Sequence, residues 1–220
     1  MSNPSSRERI FARLRTSGTE RTTVPDTPLP PDIDLDREGR IARMAELMTA
    51  IRTEVHRVAA DAWIDKLKEI AAAKEWKRMV YGPGSAVGKQ IDAAAASNAD
   101  GLPRLVAYDE PAEKLKDELF QIDAGITGCL GGVADTGAVV LWPDESEPRL
   151  ISLVPPVHVA VLDADTIYTS LAEMMRLQNW SLGMPTNVLL ISGPSKTADI
   201  EFTLVFGVHG PKEMIVLIRE

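Results

Sequence analysis

The residues with the most chemistry between them stand in one run, Ser192-Gly193-Pro194-Ser195-Lys196-Thr197-Ala198-Asp199-Ile200-Glu201, directly after the apolar segment Asn187 to Ile191. Gly193 permits close backbone approach, Ser195 and Thr197 can donate to anionic oxygens, and Lys196 supplies a point charge to a carboxylate or phosphate. The glycine-to-lysine spacing is too short for a P-loop. A loop following an apolar strand is expected at that strand's carboxyl end, where open α/β sheets bind ligands. Ligand contact is therefore the preferred reading. The competing one is a capped turn, in which Ser195 or Thr197 starts a helix and Asp199 complements its dipole.

Three further polar clusters punctuate the C-terminal half. Gly125-Ile-Thr127-Gly128 and Ala134-Asp135-Thr136-Gly137 fall between apolar runs, and Gly207-Val-His209-Gly210-Pro211 forms a tight turn before the last one. Singly, each is a hairpin signal. Val154-Pro155-Pro156-Val157-His158 differs, because two prolines cannot sit inside a central strand and so place His158 near a sheet edge or rim. The three histidines are His56, His158 and His209. None has the i, i+4 pairing of a zinc hydrolase helix, so no metal site is expected. His56 reads as structural. For His158 and His209 a catalytic or binding role and a hydrogen-bonded structural role both stand.

Gly82-Pro-Gly84-Ser-Ala-Val-Gly88-Lys89-Gln90 also follows a strand and opens a helix, the setting in which glycine turns cradle phosphates. A P-loop would need glycine at Pro83 and Ser or Thr at Gln90, and a dinucleotide fingerprint would need glycine at Val87. The preferred reading is a plain βα turn.

These loops need elements to hold them. A helix capped by Ser5 or Ser6, with Ile10, Phe11 and Leu14 in one stripe, is expected to be a docking arm. Residues 19–36 carry Pro25, Pro28, Pro30 and Pro31 and read as a linker, giving an arm over 1–36 and a domain over 37–220. Ile41, Met44, Leu47, Met48 and Ile51 recur at helical spacing. Strands are expected at 53–59, 79–81 and 105–108, alternating with helices at 61–70 (capped by Asp61), 85–96 and 111–120. Beyond Asp123 the pattern changes to strands at 125–129, 137–142, 150–153, 157–162, 188–192 and 214–218, with one helix at 166–178. Repeated βαβ units followed by a strand-rich half predict an α/β fold, a mixed sheet flanked by helices with several antiparallel members.

Composition narrows the function. The chain has 220 residues and a formal net charge of −8, from 24 basic and 32 acidic side chains, which argues against nucleic acid held by a basic face. No apolar run approaches the roughly 18 residues needed to span a bilayer. The N-terminus is polar where a secretory signal needs an apolar run, which predicts a cytoplasmic protein. Cys129 is the only cysteine, so the chain has no intrachain disulfide and cannot by itself ligate an iron–sulfur cluster.

Ile126-Thr-Gly-Cys129, Ala134-Asp-Thr-Gly137, Ser152-Leu-Val-Pro155-Pro156-Val-His158, Ser192 to Glu201 and Gly207 to Pro211, in that order, resemble the LUD-domain family, in particular its lactate-utilization protein C (LutC/YkgG) type. The resemblance covers residues 37–220. It implies a NagB/RpiA/CoA-transferase-like fold and a non-redox subunit of an L-lactate-oxidising complex (lactate to pyruvate). Iron–sulfur clusters would then lie on partner subunits and no cofactor on this chain. The expected ligand is a small carboxylate or a nucleotide-like anion. The expected catalytic residues are His158, His209 and Asp135. The expected binding set is Thr127, Thr136, Gly137, Ser192, Gly193, Ser195, Lys196, Thr197, Asp199 and Glu201. The alternative is a stand-alone cyclo-ligase- or CoA-transferase-like enzyme acting on a carboxylate with a nucleotide or thioester.

Overall fold

The computed structural model describes residues 5–16, 34–97, 100–198 and 204–220, without the side chains at 112, 116, 198 and 204. It divides into two compact units, Met1–Pro31 and Asp32–Glu220. In the first, helix α1 (Ser6–Thr16) is closed at its start by a capping box, Glu8 N–H donating to Ser5 Oγ and Ser5 N–H to the Glu8 carboxylate. Ile10, Phe11 and Leu14 are exposed along it.

The second unit is built on a six-stranded sheet in which every pair is parallel, ordered β1 (Glu54–Val58), β12 (Glu213–Arg219), β7 (Val157–Asp163), β4 (Ala124–Gly128), β2 (Arg78–Tyr81) and β3 (Arg104–Ala107). Parallel strands covered on both faces read as continuous apolar runs, and β7 and β12 do. One face packs Met79, Ile126, Val159 and Leu217 under α3 (Trp63–Ala73) and α4 (Ala86–Ser97), through Trp63, Leu67, Val87 and Ile91. The other packs Ala160, Leu162, Met214 and Val216 against α2 (Arg37–Ala50), whose Ile41, Met44 and Met48 are fully buried. Asp36 caps α2 by accepting from Gly39 N–H at 2.7 Å. Helix α5 (Ala112–Leu119) covers the edge near β3.

A second sheet shares that other face. Its strands β5 (Gly131–Val133), β6 (Ala138–Leu141), β8 (Ile167–Tyr168) and β9 (Leu189–Ile191) are ordered β8-β5-β6-β9 and mix parallel with antiparallel pairs. Its outer side packs on α6 (Leu171–Leu177) and Trp180. The antiparallel members expected in the second half of the chain therefore make a sheet of their own, while β4, β7 and β12 join the parallel one. A two-stranded ribbon, β10 (Lys196–Ala198) with β11 (Leu204–Phe206), completes the strands.

Three local expectations are corrected. Residues 150–153 form not a strand but a 3-10 turn, Arg149–Ser152, because Pro148 initiates it and Pro155-Pro156 leave no room to extend it. The helix expected at 166–178 is confined to Leu171–Leu177, where Ser170 Oγ accepts from Glu173 N–H; Thr166 ends a 3-10 turn and Ile167-Tyr168 pair with β5. Asp61 does not cap α3, which starts after Ala62 without a side-chain cap.

Chain order fixes where this sheet opens. From β2 the chain steps outward to the edge strand β3, and from β4 it steps the other way through β7 to β12. The connections diverge between β2 and β4, which makes that pair the topological switch point.

Candidate functional site

Strand β7 is the central positioning element. His158, its second residue, sits between Gly125 of β4 and Met214 of β12 and is 1% exposed. The glycine is required there: a Cβ on Gly125 would lie 2.1 Å from the Ile151 carbonyl oxygen. His158 Nε2 and Thr127 Oγ1 are 2.9 Å apart, both buried. Burial lowers the imidazole pKa to about 4, so His158 is neutral at pH 7. It is thus at once a hydrogen-bonded core histidine and part of a cavity wall, the two readings left open for it.

That cavity, about 160 Å³, lies at the amino ends of β7 and β12. Ser152 and His158 come from one motif, Gly193 and Ser195 from a second, and His209 with Gly210 from a third. Ser195 N–H donates to the Pro211 carbonyl, and Gly207 N–H to the Ser195 carbonyl, which ties the second motif to the third. Replacing Thr127 by Val should leave His158 Nε2 buried without a partner and destabilise the fold by about 1–3 kcal/mol. Denaturant unfolding checks this; an unchanged midpoint would mean that the bond contributes nothing.

A larger cleft, about 520 Å³, opens at the other end of the sheet, over the switch point. Its walls are Ser85 with the first residues of α4, Ala86 and Val87, Gly128 at the end of β4 with Cys129 after it, Val161 of β7, Arg219 of β12, and Asp144, Ser146 and Glu147 from the segment after β6. Trp142 and Trp180, edge to face with centroids 5.1 Å apart, close one side. Glu147 is mostly enclosed. Its two carboxyl oxygens share one backbone donor, Gly128 N–H, at 3.0 and 3.1 Å, and Ser85 adds a hydroxyl. Desolvation outweighs those bonds and, with Asp144 nearby, raises the carboxyl pKa to about 7. Asp144 is held low by Ser146 and by the N–H groups of Ser146 and Glu147. Burial, then Glu147, pushes the Cys129 thiol up, against Arg219. The Gly82 turn is tight, since a Cβ on Gly88 would lie 1.9 Å from the Gly82 carbonyl oxygen and Ser85 Oγ accepts from Gly88 N–H. It is also a wall of this cleft.

Residues 41–218 match the family model described as the LUD domain. The chain belongs to the LUD domain family. This LUD domain chain is 36% identical over 219 residues to an uncharacterized protein of Neisseria meningitidis serogroup B, covering 97% of this chain and 93% of that one. It is 31% identical over 185 residues to lactate utilization protein C 1 of Bacillus mycoides, covering 80% of this chain and 77% of that one. Among solved structures, a DUF162 family protein from Deinococcus radiodurans is similar with a TM-score of 0.61 at 18% identity, over 85% of this chain and 100% of that one. That likeness concerns the fold.

In this LUD domain the expected site residues divide. His158, Gly193, Ser195 and His209 share the smaller cavity, and Thr127 reaches it through His158. Lys196 and Ser192 face a separate groove with Gly193, Arg52 and Phe206, where the Arg52 guanidinium lies 4.9 Å from the Phe206 ring centroid. Ser195 and Lys196 part company because the chain there is extended, and successive side chains point to opposite sides. The loop does follow a strand's carboxyl end, but that strand, β9, belongs to the second sheet and pairs antiparallel with β6, so the loop is not at the ligand-binding end of the parallel sheet. Thr197 is half-buried on β10 and lines neither cavity. Asp135 and Thr136 form the β5–β6 turn; Asp135 Oδ1 is buried without a partner among the described residues, and Thr136 is exposed. Gly137, at φ +61°, packs against Leu47 of α2. Asp199 and Glu201 lie outside the described residues. His56 pairs with Glu54 at 2.7 Å.

Sequence reasoning missed Glu147, Arg219 and the tryptophan pair. Asp144-Glu145-Ser146-Glu147 reads as a solvated turn, and only the switch-point rule applied to the strand order draws attention to what covers it. Among the described residues no helix is long and apolar enough to cross a membrane.

Proposed function

We propose that this LUD domain protein serves lactate utilization as a non-redox subunit, holding a small carboxylate such as L-lactate or pyruvate while partner subunits carry the iron–sulfur clusters. The relative from Bacillus mycoides, whose name states lactate utilization, supports the setting. The observation that carries the ligand reading is the cavity of about 160 Å³ in which three sequence-distant motifs place Ser152, Ser195, His158 and His209 on one wall system. Its size suits a three-carbon acid. Hydroxyl donors and His209 would hold the carboxylate. His158, neutral and hydrogen-bonded to Thr127, offers a donor or acceptor but no positive charge. The lone Cys129 is consistent with redox centres carried elsewhere.

Calorimetric titration of the purified chain with L-lactate and with pyruvate tests this. Ser195→Ala and His209→Ala should each weaken binding about tenfold, the scale of one hydrogen bond to a charged group. Lys196→Ala, which faces the other groove, should change affinity less than twofold. Absence of saturable binding by either acid, or an unaltered affinity in Ser195→Ala, overturns the ligand reading. Turnover of a carboxylate with ATP or coenzyme A by the chain alone would replace the subunit reading with that of a stand-alone enzyme.

A further inference from the structure

The groove that draws Lys196 away from the carboxylate cavity is a concavity of about 460 Å³, and no carboxylate lines it. Three parts of the chain build it: the end of α2 from Ala50 to Arg52, the loop Ser192 to Pro194 after β9, and the ribbon through Lys196 and Phe206. Lys196 and Phe206 are paired directly across β10 and β11, so their side chains stand as neighbours on one face. The Arg52 guanidinium lies over the same ring, 4.9 Å from its centroid. One aromatic ring therefore orients the first cation and adjoins the second.

The backbone that carries Arg52 is unusual for an arginine. Helix α2 closes with Arg52 N–H donating to the Thr49 carbonyl and Thr53 N–H to the Met48 carbonyl, each at 3.0 Å. This closure puts Arg52 at φ +71°, a left-handed position that glycine normally fills. Arginine there is opposed by its own backbone, and what it adds is a guanidinium in the groove. Neither Arg52 nor Lys196 has a carboxylate partner among the described residues, although the chain carries a net charge of −8. The carbonyl end of α2 offsets only about half a charge, which leaves more than one positive charge uncompensated. On a convex surface such charges would simply be solvated. Here they converge on one concavity beside the Ser192 hydroxyl. A monocarboxylate neutralises one of them at most, whereas a phosphate dianion matches both, meeting the guanidinium fork and the lysine point charge together.

We propose that this groove is a second anion site, which takes the phosphate group of a small phosphorylated molecule. Arg52 and Lys196 hold the phosphate oxygens, Ser192 donates its hydroxyl, and Phe206 fixes the plane of the guanidinium. The site does not rest on the carboxylate reading. The extended segment sends Ser195 to the cavity and Lys196 to the groove, and only Gly193 borders both.

Calorimetric titration of the purified chain with inorganic pyrophosphate, in the absence of divalent metal, tests this. Saturable binding is expected, and it should weaken as sodium chloride is raised, because the two cations are exposed and screened by salt. Lys196→Gln and Arg52→Gly should each weaken binding about tenfold or more, the scale of one hydrogen bond between charged groups. Lys196→Arg, which keeps the charge, should bind within about threefold of wild type. Arg52→Gly separates recognition from folding: glycine suits the left-handed position, so the urea midpoint should stay at or above that of wild type while affinity falls. Should Arg52→Gly fail to fold, Lys196→Gln decides, since Lys196 is exposed and has no partner to lose. L-lactate, with a single charge, should not displace pyrophosphate. The proposal is overturned if pyrophosphate does not bind saturably, if Lys196→Gln binds it as wild type does, if Arg52→Gly loses stability but not affinity, or if L-lactate displaces it. Tighter binding of a poly-glutamate peptide than of pyrophosphate would also overturn it, and would make the groove a docking surface for an acidic protein segment. Pyrophosphate binding with no response to L-lactate or pyruvate would sink the carboxylate reading and leave this one standing.

Discussion

Glu147→Gln should stabilise the protein by about 3 kcal/mol at pH 8 and leave it unchanged at pH 4. In the folded chain the Glu147 carboxyl titrates near 7; in the unfolded chain it titrates near 4.5. Between those values the folded state binds more protons, so stability falls as pH rises through the window and the whole loss is present above it. Glutamine carries no charge and can still accept from Gly128 N–H, so it escapes the loss. His158 works in the opposite sense. Its folded pKa, near 4, lies below the unfolded 6.5, so the unfolded state binds more protons between them and stability rises with pH across that window by a similar amount. In the wild-type chain the two trends largely cancel between pH 4.5 and 6.5. In Glu147→Gln the histidine trend is no longer opposed by Glu147, and the unfolding free energy should climb by about 3 kcal/mol or more from pH 4 to 6.5 before levelling. Carboxylates held low, such as Asp144, act in the same direction at the acid end. Urea unfolding of both proteins over pH 4–8 measures this directly. Parallel curves for the two proteins would show that Glu147 titrates as an exposed carboxylate.

The two groups in that experiment differ in how much the sequence reveals of them. His158 is legible because it interrupts an otherwise apolar run, Val157 to Leu162, after two prolines, and that run is β7. What the run does not reveal is its neighbours. Pairing β7 between β4 and β12 joins segments far apart in the chain, and parallel register has no local turn to announce it. Of the two places expected for His158, edge or rim, it takes the rim: it lies at the amino end of a central strand, buried there rather than on an edge strand. Ser195 and Lys196 show a second limit. Their types announce anion chemistry, but a Gly-Pro-Ser stretch reads as a turn, so the period-2 alternation that separates the two side chains is invisible until β10 is seen paired with β11. The division into βαβ units and a strand-rich half was legible from hydrophobic periodicity alone. The partition of the later strands between two sheets was not, because an apolar strand carries no mark of which sheet it joins. Glu147 is the extreme case. Nothing in Asp144-Glu145-Ser146-Glu147 distinguishes a buried carboxyl from a solvated one, and its burial depends on what Gly82, more than sixty residues earlier, leaves room for.

That dependence is strong enough to test. A Cβ added at Gly82 would stand 2.1 Å from the Ser146 carbonyl oxygen and 3.1 Å from Glu147 Cα, both backbone atoms that no rotamer change can move. Gly82→Ala should therefore push the Ser146–Glu147 segment off the end of β2, break the two contacts from Gly128 N–H to the carboxyl, and admit water to it. Overpacking of this kind costs about 1–3 kcal/mol, and the lost hydrogen bonding adds to it, so a loss of about 3 kcal/mol or more in urea is expected. Gly183 lines the same cleft with nothing within 4 Å of its Cβ position, so Gly183→Ala should be close to neutral. The decisive comparison is the double variant. Once Gly82→Ala has exposed the segment, Glu147 should titrate in the ordinary carboxylate range, and Glu147→Gln should no longer stabilise at pH 8. The coupling between the two substitutions would then be about 3 kcal/mol, the full gain that Gln gives in the wild-type background. Simple additivity would instead mean that the Gly82 turn and the Glu147 carboxyl are merely neighbours, and that something other than this contact keeps the carboxyl out of water.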